Sequence, residues 1–338
     1  MKKKILLTSI SCFLCASSLF SCVSADDTQE TKPIPVALCE VAHSIFYAPM
    51  YVAIEEGYLE EEGIDLTLTC GFGADKVMTA LISGDADIGL MGSEATIYTY
   101  NEGASNYFIN FAQLTQRAGN FLVGRNPEPD FQWENVKGTT ILGGRKGGMP
   151  EMVLEYILKE NGIDHEKDLT IDQGIDYGST SAAFTSGIGD YTVEFEPTAT
   201  ALEQSGAGYV VASLGTDSGY VPYTSFAAQK SYMAENPELI QSFTNAIQKG
   251  MDYVQTHTPE EIAKVIQNQF PENDLETITA IVDRYALQDT WKTDLIFEEE
   301  SFTHLQDILD SAGELSQPAP YEDLVTTEFA QNAAEQNP

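Results

Sequence analysis

Strand-like and helix-like segments alternate along most of this chain, and this alternation constrains its fold more than any other feature. The segment "IPVALCEV" from Ile34 predicts a strand, and "FYAPMYVAIEEGYLEEE" from Phe46 predicts a helix that breaks at Gly63. Residues 64–70 then alternate apolar with polar side chains, which is the period-two pattern of a strand. The same order of segments recurs after Trp133. Strands that alternate with helices predict an α/β fold with mainly parallel sheets, here as two similar units in series.

The part of the chain beyond Gln229 is different, because helical signals replace the alternation. Asn236 followed by Pro237 predicts the start of a helix. The segment "TPEE" from Thr258 has the sequence of a capping box. Residues 331–338 belong to a last stretch rich in Gln, Asn, Pro and Glu and are expected to form a frayed tail.

The charge of the chain excludes one class of partner. Its 338 residues include 17 basic and 52 acidic residues, which gives a net charge of −35. A surface this acidic repels nucleic acid, so no nucleic-acid binding is expected. The length is sufficient for two ordinary domains with a sizeable core.

The beginning of the chain has the features of an export signal. Three lysines at positions 2–4 precede an apolar stretch from Ile5 to Phe20, which is too short for a comfortable membrane span. The following "LFSC" resembles a bacterial lipobox, in which Cys22 becomes the lipidated first residue of the mature protein. Phe20 departs from this pattern, which prefers a small residue there.

The interpretation is a signal peptide at residues 1–21 and a lipid-anchored tether at residues 22–32. Plain secretion with cleavage near Ala25 is the alternative. Cys39 and Cys70 are the cysteines of the folded part, and they are too few for a zinc site or a disulfide-dense scaffold. A single disulfide between them and two buried thiols both fit the sequence.

The segment Gly143–Glu151 ("GGRKGGMPE") carries the strongest chemical signal in the chain. It follows a predicted strand, and Pro150 suits the first position of a helix. Glycine lets the backbone approach a ligand closely, and helix N-termini direct N–H groups outward. Arg145 adds a fork of donors that fits a carboxylate, a sulfonate or a phosphate. The segment predicts one wall of a ligand cleft, with a purely structural turn as the alternative.

Two other loops are expected near this segment. Ser44–Tyr47 and Gly92–Glu94 also follow predicted strands, and ligands of open parallel sheets bind beyond the carboxyl ends of the strands. Between Arg117 and Lys146 five basic residues outnumber three acidic ones, on a chain that is acidic overall. This local excess favours a positively charged lip around the cleft.

Motifs of the common enzyme classes do not occur in the sequence. The glycine segment lacks the Gly-Lys-Ser/Thr ending of a nucleotide-hydrolysing loop and the spacing of a dinucleotide fingerprint. No Gly-x-Ser-x-Gly elbow occurs either. The histidines are scattered without metal-ligand spacing, at His43, His165, His257 and His304. The sequence therefore predicts no enzyme, no catalytic residue, no metal and no cofactor.

Three segments resemble a known family: "FYAPMYVAIEEGYLEEEGIDLTL", "GADKVMTALISGDADIGLMGSEA" and "FEPTATALEQSGAGYVV". They are similar to the solute-binding proteins of bacterial ABC importers, in particular to binders of sulfonates, taurine, nitrate and thiamine precursors. The related yeast thiamine-pyrimidine synthases belong to the same group. The resemblance covers about residues 34–300. It implies a type II periplasmic-binding-protein fold, in which two α/β lobes are joined by two crossover strands with the ligand between them.

The resemblance also implies an organisation and partners. Lobe 1 is expected at residues 33–117 and 224–330, and lobe 2 at residues 118–223. The expected crossovers lie near Gln116–Leu122 and Pro222–Phe226. The implied partners are a small-molecule ligand, the permease of an ABC importer with its ATPase, and the cell membrane through the lipid anchor. The protein is expected to be a monomer outside the cytoplasm; a sensor without an importer is an alternative.

Candidate ligand contacts are carried over by position from the family. They are Ser44, Phe46, Tyr47, Phe72, Ser93, Glu94, Gln116, Arg117, Gly144, Arg145, Gly147, Gly148, Met149, Glu194 and Tyr223. The aromatic members either stack on a ring of the ligand or belong to the core.

The ligand expected from these residues is an aromatic heterocycle similar to the thiamine pyrimidine, because Glu94 and Glu194 can accept hydrogen bonds from ring substituents. The cationic loop favours an aliphatic sulfonate, nitrate or another small anion as the alternative. An enzyme like the yeast synthases is the alternative of a different class. Its cysteine-rich iron site has no counterpart here, because only Cys39 and Cys70 remain after export.

Overall fold

The computed structural model describes residues 32–336 of the chain, and two five-stranded sheets organise this part. The expected signal peptide and the lipidation site Cys22 lie outside the described residues. The strands are β1 (Ile34–Glu40), β2 (Ile64–Cys70), β3 (Ile88–Gly92), β4 (Phe108–Thr115), β5 (Asn120–Gly124), β6 (Thr140–Leu142), β7 (Thr170–Asp172), β8 (Tyr191–Phe195), β9 (Tyr209–Ser213) and β10 (Thr224–Gln229).

Helices cover the sheets and form most of the C-terminal part. They are α1 (Ala48–Glu55), α2 (Tyr58–Glu61), α3 (Ala74–Ser83), α4 (Glu94–Asn101), α5 (Met149–Glu160), α6 (Thr180–Thr185), α7 (Thr198–Gln204), α8 (Leu214–Asp217), α9 (Lys230–Glu235), α10 (Pro237–Thr256), α11 (Pro259–Ile266), α12 (Leu275–Leu287), α13 (Glu299–Ser311), α14 (Tyr321–Leu324) and α15 (Glu328–Gln336). Within residues 32–336, none of these helices combines the length and the apolar character that a membrane crossing needs.

Both sheets have the same arrangement of strands. The first sheet has the order β2-β1-β3-β10-β4, and the second has the order β7-β6-β8-β5-β9. In the first, β1 is parallel to β2 and β3, whereas β10 is antiparallel to β3 and β4. In the second, β6 is parallel to β7 and β8, whereas β5 is antiparallel to β8 and β9. The predicted α/β class with mainly parallel sheets is confirmed.

The chain crosses between the sheets twice, from β4 to β5 and back from β9 to β10. The antiparallel strand of each sheet is the strand that directly follows a crossing. A strand that enters a sheet from the neighbouring sheet runs against the strands that the local β-α-β connections build. The parallel strands of both sheets therefore direct their carboxyl ends to the space between the sheets.

The C-terminal helices pack on the first sheet through closely spaced contacts. Helix α10 lies against α1, and a Cβ atom at Gly250 would approach the carbonyl oxygen of Pro49 to 2.1 Å, so glycine is needed there. The predicted capping box is confirmed at the start of α11. The Thr258 hydroxyl accepts the N–H of Glu261 (3.3 Å), and the Glu261 carboxylate accepts the N–H of Thr258 (2.9 Å).

The C-terminal end differs from the expected frayed tail. Helix α15 continues to Gln336 and packs on α10, with Ala330 and Ala333 buried. The side chain of Gln241 on α10 donates to the carbonyl oxygen of Phe329 (3.0 Å) and thereby holds the helix. The polar composition was misleading because small alanines on one face are sufficient for close packing of two helices.

Cys39 and Cys70 are free thiols, on the adjacent strands β1 and β2. Cys39 is buried, and burial raises the pKa of both thiols, that of Cys70 to about 11. The alternative of a disulfide between them is therefore wrong for this structure.

Candidate ligand-binding site

A cavity of about 80 Å³ lies between the two sheets. Its lining comes from the segments that end or follow β1, β2 and β3 on one side and β6 and β8 on the other, while the start of β10 completes it. These are the carboxyl ends of parallel strands, the usual place for a ligand in open α/β sheets. The volume accommodates several water molecules or a small organic molecule.

Some of the predicted ligand contacts meet at this cavity. They are Tyr47, Glu94, Gly144, Arg145, Gly148, Met149 and Tyr223. They come from both sheets and from the return crossing, so a molecule in the cavity touches segments that are far apart in the sequence.

The glycine-rich loop owes its shape to backbone angles that other residues rarely adopt. Gly144 and Gly147 have φ values of 85° and 74°, in the left-handed region that favours glycine. Helix α5 begins immediately afterwards at Met149. The carboxylate of Glu151, in the first turn of that helix, accepts the N–H of Gly147 at 3.1 Å. The loop is thus tied to its own helix.

The same loop also contacts the helices of the first sheet. The Tyr98 hydroxyl, on α4, donates to the carbonyl oxygen of Gly147 at 3.0 Å. Arg145 forms an ion pair with Asp75 of α3 at 3.5 Å, and both side chains are about half exposed. Gly147 therefore does not line the cavity, and its backbone groups form hydrogen bonds that hold the loop in place. Arg145 lies at the cavity mouth.

Aromatic rings form one wall of the cavity. Tyr47, Phe195 and Tyr223 line it, and all three are buried. Phe46 lies behind them, with its ring centroid 5.1, 5.6 and 5.7 Å from those of Tyr47, Phe195 and Tyr223, respectively. Phe46 itself is 0% exposed and belongs to the core instead of the lining.

Glu94 is the acidic group of the cavity. It is the first residue of α4 and is only 2% exposed, and its Oε2 atom has no hydrogen-bond partner within the described part of the chain. Burial raises the pKa of the Glu94 carboxyl to about 7, against the opposing effects of the backbone amides of Glu94 and Met149 and of the charge on Arg145. Gly92 leaves room for this carboxyl, because a Cβ atom there would lie 2.1 Å from Oε2.

Two predicted serine contacts have other partners. The Ser44 hydroxyl donates to the carbonyl oxygen of Glu196 at 2.6 Å and so joins the segment after β1 to the segment after β8. The Ser93 hydroxyl donates to the carbonyl oxygen of Pro222 at 3.1 Å and lies 3.0 Å from the hydroxyl of Ser225. Both serines are buried and fix the frame around the cavity without lining it.

Phe72 and Glu194 are also placed away from the cavity. Phe72 is 57% exposed, in the loop after β2. Glu194 is buried and accepts a hydrogen bond from the Thr192 hydroxyl at 2.7 Å, and burial raises the pKa of its carboxyl to about 7. Alternate side chains of a strand point to opposite faces, so Glu194 and its neighbour Phe195 cannot both face the cavity.

Gln116 and Arg117 lie at the crossing between the sheets. The Gln116 side chain donates to the carbonyl oxygen of Asp289 at 3.2 Å, and its backbone carbonyl accepts the N–H of Val221 at 2.9 Å. The Arg117 guanidinium lies 4.2 Å above the ring of Tyr220. These contacts join the two crossings to each other and to the segment after α12, and neither side chain lines the cavity.

The sequence analysis missed several lining residues: Val41, Ala42, Ala74, Phe195 and Thr224. Each of them lies at or near a strand terminus, close in the chain to a predicted ligand contact. The position of a residue relative to a strand end was the available signal. Phe195 carries no distinctive chemistry, and only the strand phase of β8 directs it inward.

Comparisons with known proteins agree with this architecture. The chain is 43% identical over 320 residues to a Bacillus subtilis (strain 168) protein named "Putative binding protein YtlA", covering 94% of this chain and 96% of that protein. It is 23% identical over 300 residues to the riboflavin-binding protein RibY of Chloroflexus aurantiacus, covering 85% and 83%, respectively.

A solved structure shows the same fold. The periplasmic aliphatic sulphonate binding protein SsuA of Escherichia coli matches with a TM-score of 0.70 at 16% identity, covering 90% of this chain and all of that chain (100%). The predicted periplasmic-binding-protein fold is confirmed. In addition, the model of the family described as "NMT1/THI5 like" matches residues 45–262. This match covers more than half of the chain, so the chain belongs to the NMT1/THI5-like family.

Proposed function

We propose that this protein is the extracytoplasmic solute-binding component of an ABC importer and that its ligand occupies the cavity between the two sheets. One observation carries the proposal: loops from the strand ends of both sheets line a single cavity. A ligand that touches both sides favours the closed arrangement over an open one. The closed, loaded monomer then delivers the ligand to the permease and its ATPase.

The two lobes of this receptor correspond to residues 33–117 with 224–330 and residues 118–223. Gln116 and Val221 lie where the crossings meet, and their hydrogen bonds form the hinge. Two contacts lie across the cavity from this hinge: the ion pair between Arg145 and Asp75, and the hydrogen bond from Tyr98 to the glycine loop. An opening motion of the lobes would break both contacts.

The ligand that fits best is an aromatic heterocycle of the thiamine-pyrimidine type. The rings of Tyr47, Phe195 and Tyr223 offer faces and edges for stacking on a flat ring. The name of RibY, a riboflavin binder, shows that a relative of this chain accepts a heterocycle. The small volume favours a ligand with one ring and short substituents.

A small anion such as a sulfonate or nitrate is the second candidate. It is supported by Arg145 and by the glycine loop at the start of α5, and SsuA is a sulphonate binder by its name. Arg145→Ala separates the candidates: a charge-assisted bond to an anion gives about a 10- to 150-fold loss of affinity, whereas an uncharged ring is expected to lose much less. Lys146→Ala, the adjacent change outside the cavity, is the control.

The function is tested by a thermal-shift screen of pyrimidines, vitamins, sulfonates and nitrate on the protein from residue 25 onward. We expect a pyrimidine to raise the melting temperature, because a ligand that binds only the folded state stabilises it. Small-angle scattering with that compound at saturation should show a smaller radius of gyration. An unchanged radius of gyration with a compound bound would contradict the closing of the two lobes around the ligand. Failure of every compound class to bind would contradict the solute-binding role.

Lipid anchoring at Cys22 is a separate proposal, supported by the lipobox-like "LFSC". In a bacterial host, Cys22→Ala should abolish the incorporation of labelled fatty acid and release the protein from the membrane fraction, because the thiol is the attachment point. The matched control is Cys39→Ala, which removes a buried thiol of β1 and should keep both label and anchoring. Equal labelling of Cys22→Ala and the parent would show that the protein is not a lipoprotein.

A further inference from the structure

The innermost ionisable group of the cavity is an acid. Glu94 and Arg145 are the charged residues of the lining. Glu94 is 2% exposed and has a free Oε2 atom within the described structure. Arg145 is 53% exposed and is already paired with Asp75 at the mouth. An anion that entered the cavity would meet the Glu94 carboxyl, whose Oε2 atom has no partner, and at the rim a guanidinium that is already paired with Asp75.

The carboxyl of Glu94 occupies a built position. Gly92 lies directly under it, and the backbone amide of Met149 approaches it from the opposite lobe. A buried acceptor without a partner costs free energy, and a ligand group that donates a hydrogen bond removes this cost. The position is thus complementary to a donor on the ligand.

We propose that the ligand of this cavity presents a nitrogen-bound hydrogen, from an amino, amidine or ammonium group, to Oε2 of Glu94, and that Glu94 makes the site select against sulfonates, nitrate and carboxylates. This inference rests on the proposed solute-binding function and narrows its ligand class. Among the two candidates above, it favours the amino-substituted heterocycle and opposes the small anion.

Proton exchange gives an independent signature of this contact. Burial raises the pKa of Glu94 to about 7, so near neutral pH the empty site holds a partly protonated carboxyl. Besides Arg145 with its partner Asp75, the titratable side chains in electrostatic contact with it are Tyr47 and Tyr98. A cationic donor lowers the pKa of Glu94 and releases a proton, whereas an anion raises it and takes one up.

The test uses three probes of the same size: benzamidinium, benzamide and benzoate. They are titrated by calorimetry at pH 7 in two buffers of different ionisation enthalpy, which reports the protons exchanged. We expect benzamidinium to bind about 10- to 100-fold more tightly than benzoate and to release protons. Glu94→Gln should abolish both the preference and the release, while its folding is checked by the melting temperature.

Glu102→Gln is the matched control, because it removes an exposed carboxylate just beyond the other end of α4 and should leave the preference intact. Benzoate binding as tightly as benzamidinium, no binding of benzamidinium, or an unchanged preference in Glu94→Gln would each overturn the inference. Tight binding of benzoate or of a sulfonate from the screen would leave the solute-binding function standing. If no compound in that screen bound, both the inference about Glu94 and the solute-binding function would be contradicted.

Discussion

Phe46→Ala should lower the free energy of unfolding by about 3–5 kcal/mol, the usual range for removing a buried phenylalanine ring. The ring is 0% exposed and packs on Tyr47 and on Tyr285 at centroid distances of 5.1 and 5.4 Å. The backbone at Gly119 lies so close to the Phe46 ring that a Cβ atom there would be 2.4 Å from it. The residue joins both sheets, so the cavity left behind cannot collapse without moving one of them.

Phe72→Ala is the matched control, since Phe72 was predicted as a ligand contact together with Phe46. Its side chain is 57% exposed, and we expect a change within about 0.5 kcal/mol. Phe72 has a positive φ of 56°, but alanine carries the same Cβ atom as phenylalanine, so the backbone strain at this position is the same in parent and variant. Urea unfolding followed by circular dichroism measures both variants. Equal losses would mean that Phe46 is not part of the core that joins the sheets.

Arg284→Ala should lower the free energy of unfolding by about 2–4 kcal/mol, because it leaves a buried carboxylate without its partner. Arg284 on α12 pairs with Glu196 at 2.5 Å and with Glu203 at 3.2 Å. The Glu196 side chain is 0% exposed, whereas that of Arg284 is 34% exposed. Because solvent screens the exposed part of Arg284, we expect a smaller loss of stability than for breaking a fully buried ion pair. Glu203→Gln, at the more exposed partner, is expected to cost less than about 1 kcal/mol.

The loss in Arg284→Ala should grow with pH. Burial raises the pKa of Glu196 and Arg284 opposes this rise, so without Arg284 the pKa in the folded state moves further above the value in the unfolded state. The folded state then binds more protons than the unfolded state, and stability falls as pH increases through that folded pKa. Denaturant unfolding at pH 5 and pH 8 measures the difference. Adding Glu196→Gln should restore part of the stability and remove the pH dependence; an equal loss at both pH values would contradict the account.

Local patterns were sufficient for much of the fold. The alternation of residues 64–70 corresponds to β2, and Pro150 lies in the first turn of α5, as its missing N–H predicts. No local pattern indicated that β5 and β10 run antiparallel to their neighbours. Strand direction depends on which segment of another unit enters the sheet, and this information is not contained in the period of a single strand.

The candidate site was predicted where its residues are local and missed where they are not. Gly144 and Arg145 belong to one short loop and both line the cavity. The glycines of this loop predict the left-handed backbone angles that the structure shows. Gln116 and Arg117 were selected for their position near a crossing. Their partners, such as Asp289 and Tyr220, are distant in the chain, so no local window of the sequence shows these contacts.

The sequence by itself determined the α/β class, the glycine loop before α5 and the absence of common enzyme motifs. Each of these features depends only on residues that are close together in the chain. Only the tertiary structure decided which side chains meet. It placed Phe46 in the core and Phe72 at the surface, although both follow a strand end. It also paired Arg145 with Asp75 and left Glu94 buried with a free oxygen, within the described residues. Burial and pairing depend on segments distant in the chain, and they decide what charge a ligand meets.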